Sequence, residues 1–119
     1  MADPLKMNAT ELGEAFENNL IDTVGALGAF FDAIQKNTLT DRIFVAVTKA
    51  RAVGEAEDAR KRRKFNALTW SLDEVPLSWK DLFDIAGYQT TIGSDLLKGW
   101  IRESDWAILK LASINGVIT

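Results

Sequence analysis

The 119-residue chain contains neither cysteine nor histidine. Without cysteine there are no disulfides and no thiolate nucleophile, and nothing points to an oxidising compartment. An intracellular, cytoplasmic protein is expected, with a nuclear or virion setting also open. Without histidine the commonest general base and metal ligand is missing. The expectation is therefore a protein that is not an enzyme, with no metal and no cofactor. Proline is scarce, at two residues, and the hydrophobic share is 47%, which places the chain among globular sequences and away from the disordered class. Long apolar runs are missing too. The longest, Leu20 to Ile34, is broken by Asp22 and Asp32, and the N-terminus lacks the basic-then-apolar signal pattern, so no membrane insertion is expected.

What the chain does have is segregated charge. Residues 1–41 carry two cations against seven acids, residues 42–64 eight against three, and residues 65–119 four against seven. The middle segment ends in Arg60, Lys61, Arg62, Arg63 and Lys64, five consecutive cations in a chain of net charge -3. Such a run repels itself and should be steadier beside anions.

Apolar residues at Leu12, Phe16, Leu20, Val24, Leu27, Phe31 and Ile34 follow helical steps and predict a long amphipathic helix, capped by Asn8 or Thr10. Inside it, Gly25, Gly28 and Ala29 form a small-residue patch suited to self-association or to tight packing within one monomer. Thr40 and Asp41 open a second helix whose stripe runs through Ile43, Val47 and Ala50 to Val53 and then fails. From Glu55 to Lys64 the only apolar side chains are Ala56 and Ala59, so this stretch reads as a protruding basic rod. Further helices are expected from Ser78 to about Ala86, from Thr91 or Ser94, and from Asp105 to Asn115 and Gly116, with Val117 to Thr119 extended. The predicted fold is all-α, a compact bundle of about five helices forming a single domain over 1–119.

Three readings of the basic run stay open. Lys49, Arg51, Arg60, Lys61, Arg62, Arg63 and Lys64 could neutralise phosphates of RNA or DNA, dock on an acidic partner surface, or form a solvated helix face. Lys61 to Lys64 also fits a nuclear-import cluster. Two carboxylate pairs, Asp81 with Asp84 and Glu11 with Glu14, have spacing suited to a hard cation or to a solvated face.

Downstream, Trp79-Lys80-Asp81-Leu82-Phe83-Asp84-Ile85-Ala86, a Gly87 turn and Tyr88-Gln89-Thr90-Thr91-Ile92 resemble a helix-turn-helix of the Cro type found in some phage repressors. That resemblance covers residues 79–97 and implies Gln89, Thr90 and Ser94 as base-reading side chains. A helical hairpin without a DNA role fits the same pattern. Four tryptophans, at 70, 79, 100 and 106, suit core edges or interfaces. Taken together, these features predict a non-enzymatic assembly subunit, a homo-oligomer or particle component of viral or phage type, docking through its basic segment. The alternative is a nucleic-acid-binding protein.

Overall fold

The computed structural model describes residues 3–119. Helix α1 (Ala9–Glu17) begins at a capping box: the Asn8 side chain accepts from Glu11 N at 3.0 Å, and the Glu11 carboxylate accepts from Asn8 N at 2.8 Å. Such reciprocal satisfaction of free helix-end donors contributes about 1 kcal/mol. The long N-terminal helix expected from the apolar spacing is interrupted. Asn19 adopts φ 53°, Leu20 N donates to Ala15 O, and Asp22 then caps α2 (Thr23–Lys36) by accepting from Gly25 N at 2.9 Å. Asparagine tolerates the left-handed region and aspartate is a strong cap, so two local preferences outweigh a stripe that stays in phase across the break. Leu20, on that break, is 68% exposed.

A single turn, α3 (Thr40–Ile43), leads to α4 (Lys49–Lys64), which runs unbroken past Gly54 and through the basic run. This helix does not protrude. Ala52, Ala56 and Ala59 are buried at steps of four and three, and Ala52 and Ala56 pack with Leu27 and Ile118. An alanine stripe buries little area per residue but lets helix axes approach closely, so a search for large apolar side chains passes over it. A second cluster joins Leu12, Phe16, Ala26 and Val75. There Gly13 faces the turn at residue 71, where any Cβ would meet the Ser71 carbonyl. Gly25 and Gly28 lie on the exposed side of α2 with no backbone close to them, so the small-residue patch at Gly25, Gly28 and Ala29 brings no second backbone close at either glycine.

The second half departs most from the all-α expectation. Between residues 65 and 106 there is no α-helix, only turns, the 3-10 turn Asp95–Leu97 and two β-bridges. Pro76 pairs in parallel with Ile118: Leu77 N donates to Ile118 O at 2.9 Å and Ile118 N to Val75 O at 3.1 Å. Helix α5 (Ala107–Ile114) lies in sequence between these extended segments, and a parallel pair joined through a helix is an α/β arrangement. Gln89 pairs in antiparallel fashion with Ile101. Of the helices expected after residue 70, only the last forms, ending at Asn115 and Gly116 with residues 117–119 extended behind it. The compact all-α bundle is not what this sequence makes.

Candidate functional site

Two of the five cations in the basic run, Arg62 and Arg63, fold inward, while Arg60, Lys61 and Lys64 stay exposed. Arg62 grips Asp73 with contacts of 2.6 and 3.3 Å, and Arg63 grips Glu74; both carboxylates are buried. Arg51 makes a two-pronged contact with Asp105 at 2.7 Å on each arm and also reaches Glu55 at 2.9 Å. These three arginines tie α4 to the irregular second half. Arg60 pairs with Asp22 at 3.2 Å, Lys61 pairs with Asp58 at 2.8 Å, and Lys49 sits over the Phe31 ring. Lys64 alone of the run makes no ion pair among the described residues. The seven cations therefore form no common face.

Two of the aspartates held this way, Asp73 and Asp105, are pulled below the usual carboxylate range. Burial would raise the Asp73 carboxyl, but hydrogen bonds from Arg62 and from Thr69 outweigh it and hold the group below the usual carboxylate range. Asp105 is likewise lowered, first by its hydrogen bond from Arg51, against the opposing effect of burial and with help from Ala86 N at 2.8 Å.

No helix-turn-helix is present at 79–97. Gly87 and Gly93 have φ of 83° and 72° and Ile92 has φ 52°, and left-handed residues this close together end any helix. Gln89 Oε1 accepts from Gly99 N at 2.9 Å, Thr90 is buried with its hydroxyl unpartnered, and Ser94 caps the 3-10 turn. None of the three is placed to read a base. The Asp81 and Asp84 pair also separates. Asp81 accepts from Thr91, while Asp84 Oδ1 lies 3.0 Å from Arg102 Nε without hydrogen-bond alignment. Among the described residues no group of three metal-ligating side chains comes together.

What the second half builds instead is a cleft of about 500 Å³ between residues 43–48 and 79–93. Lys80 is the one cation lining it, alongside Asp81, Tyr88 and Gln89. An apolar groove of about 340 Å³ adjoins it, sharing Phe44, Ala46, Thr48, Trp79 and Ile85. Lys80 stands on a tight turn whose carbonyl accepts from Leu82 N and Phe83 N at 2.7 and 3.2 Å. Trp79 beside it is fixed by an edge contact to Phe83 and by its indole N–H donating to the Thr119 hydroxyl at 3.3 Å. Among the described residues Lys80 has no carboxylate within ion-pairing distance; its neighbour Asp81 is occupied elsewhere. Sequence reasoning gave Lys80 no role. The signal was there, since Lys80 is the sole cation from residue 65 to residue 97.

Residues 26–119 match the family model described as Amidase. The A component of a glutamyl-tRNA(Gln) amidotransferase from Anaeromyxobacter dehalogenans is 33% identical over 112 residues, 94% of this chain and 20% of that protein. The corresponding component from Streptomyces coelicolor is 28% identical over 118 residues, 99% of this chain and 24% of the relative. A solved structure, from work on a vestigial protein complex and the origins of an s-triazine catabolic enzyme, superposes with a TM-score of 0.86. It is 22% identical and the match covers 94% of this chain and 25% of that one, which establishes a shared fold. The chain thus spans about a quarter of the length of the proteins it matches.

These matches overturn several expectations together. Enzyme relatives replace the non-enzymatic assembly subunit and the viral or phage structural component, and an α/β enzyme domain replaces the all-α bundle. The homo-oligomer docking through its basic run, and the DNA- or RNA-binding protein, fall with them: the relatives are components of an amidotransferase, and Arg62 and Arg63 of the run are spent on ion pairs within the chain. No match supports a nuclear or virion setting. Among the described residues no helix is long and apolar enough to cross a membrane.

Proposed function

The chain belongs to the amidase family, and on that premise we propose that it supplies one wall of a site that cleaves or transfers an amide nitrogen, with Lys80 as the proton-transfer group. The rest of the site comes from the roughly three quarters of an amidase that this chain does not span. Amide cleavage needs a nucleophile relieved of its proton and a departing nitrogen given one. In a chain with no histidine and no cysteine, few groups can do either. A lysine amine can, because it both accepts and donates; a guanidinium stays protonated and cannot.

The observation that carries this reading is the isolation of Lys80. It is the one cation lining the cleft, and the nearest acid in sequence, Asp81, is committed to Thr91. Tyr88 and Gln89, which also line the cleft, offer further hydrogen-bonding groups for a bound amide. Placement inside the cell goes with this reading, since glutamyl-tRNA(Gln), which names the relatives, is made there.

The experiment is a graft. This chain replaces the corresponding portion of the Anaeromyxobacter dehalogenans relative, and ammonia release from simple amides is measured. General acid–base groups contribute about 100- to 10,000-fold, so Lys80→Ala and Lys80→Arg should each lower turnover of an active graft by at least about 100-fold. Full activity in either variant would remove Lys80 from the role.

A further inference from the structure

We propose that Asp81 and Thr91 form the positioning device for Lys80, fixing its turn and keeping the adjacent carboxylate away from its amine. This inference rests on the reading of Lys80 given above. Asp81 Oδ1 accepts from Thr91 N at 2.9 Å, and Asp81 Oδ2 accepts from the Thr91 hydroxyl. The Thr91 hydroxyl oxygen lies 3.4 Å from Gly93 N, which donates to it. Both carboxylate oxygens are therefore used, by donors ten residues along the chain.

The surrounding backbone shows why a pin is needed there. Residues 80–94 have no helix to hold them. The middle of the stretch is tied to residues 101–106, with Gly87 N donating to Arg102 O and Trp106 N to Asp84 O, each at 2.9 Å, but beside Lys80 itself the backbone has only the short turn to Leu82 and Phe83. The Asp81 to Thr91 contacts close the stretch at its base. Immediately beyond them Ile92 and Gly93 turn left-handed, at φ 52° and 72°, and both line the cleft with Lys80. One carboxylate thus ties the two ends of the 79–93 wall together.

The second effect is electrostatic. A lysine and an aspartate adjacent in sequence can pair, and a carboxylate beside the amine favours its protonated form, which has no lone pair to accept a proton. Here the carboxylate is turned to an amide and a hydroxyl instead, and charge-assisted bonds of this kind are stronger than neutral ones. Thr91 is buried, so water competes weakly for those donors. Residue chemistry is constrained at both ends. Asparagine at 81 keeps one acceptor oxygen, alanine keeps none, valine at 91 keeps only the amide donor, and serine keeps both donors.

The test uses the 119-residue chain itself and needs no turnover. The protein is acetylated with a limiting amount of the N-hydroxysuccinimide ester of acetic acid, and acetylation of Lys80 is measured by mass spectrometry relative to Lys64 and Lys110 in the same sample. Amide hydrogen exchange at Thr91 is followed in parallel. In Asp81→Ala, Thr91 exchange should rise at least tenfold and the Lys80 ratio should change at least threefold. Thr91→Val should lower the Lys80 ratio as the freed carboxylate oxygen turns to the amine, and Thr91→Ser should restore it. Asp81→Asn, the milder change, should fall between wild type and Asp81→Ala, and it decides the matter if Asp81→Ala does not fold. An unchanged Lys80 ratio in Asp81→Asn and Thr91→Val, with far-UV circular dichroism preserved, overturns the proposal. Because labelling is read rather than catalysis, an inactive graft or a dispensable Lys80 would leave this result standing.

Discussion

Arg63 on α4 reaches across to Glu74, a carboxylate with no exposed surface on a residue whose backbone has φ 74°. Glu74 N donates to Gly116 O at 2.9 Å, so the same residue joins the helix to the parallel pair. A buried charge whose partner is deleted costs about 3 to 5 kcal/mol. Arg63→Ala should therefore destabilise the chain by roughly that amount, seen as a lower urea midpoint. Lys64→Ala, one residue on and without an ion pair, should change it by less than about 0.5 kcal/mol.

Acid should unfold the protein through its gripped aspartates. The Asp73 and Asp105 carboxyls titrate below the ordinary 3.8 when folded. Groups depressed in this way contribute stability that is present above their unfolded value and lost as pH falls through the folded one. Melting temperature should hold steady from pH 7 to about pH 5 and drop steeply below about pH 4. Asp73→Asn should melt lower at pH 7 and show a shallower fall, because its proton uptake is gone.

Gly116 and Gly28 should respond to alanine in opposite directions. At Gly116 a Cβ would overlap Asp73 Oδ1, and the backbone has φ 87°, so Gly116→Ala both strains the turn and displaces the Arg62 to Asp73 pair. Gly28 is helical, exposed and free of neighbours within 4 Å. Gly28→Ala should stabilise by about 0.5 to 1 kcal/mol, while Gly116→Ala should cost more than that, both read from chemical denaturation.

Enlarging the alanine stripe tests how α4 is seated. Ala56 is fully buried against α2 and Ile118, and extra methylenes at such a site typically cost about 1 to 3 kcal/mol. Ala56→Leu should lower the urea midpoint accordingly. If the basic segment stood out in solvent, the same change would be neutral.

Much of the helical framework could be read from residue order. Asn8 caps α1 and α5 gives way at Asn115 and Gly116 because both use preferences acting within one or two turns, whereas the helix expected from Thr40 to Val53 stops at Ile43, with no side-chain cap, and restarts at Lys49. What could not be read depends on partners far away in sequence. Arg62 and Arg63 look like solvent cations until Asp73 and Glu74 are brought beneath them. Ser78 and Asp81 have the spacing of a helix start, yet Asp81 spends both oxygens on Thr91, ten residues away. The same side-chain chemistry serves a cap or a distant tether, and local pattern does not tell them apart. Lys80 was hidden for a different reason. The chain has fourteen cations, and the dense run at 60–64 overshadows the one that stands alone.

The parallel pairing of Pro76 with Ile118 also fixes a direction. Both extended segments point the same way, so their carboxyl ends share one edge, and the indole of Trp79 touching the Thr119 hydroxyl is the physical sign of it. In open α/β sheets, ligands gather outside that edge. Lys80 follows Leu77 by three residues and so lies just beyond the carboxyl end of this bridge, on the edge where such ligands gather.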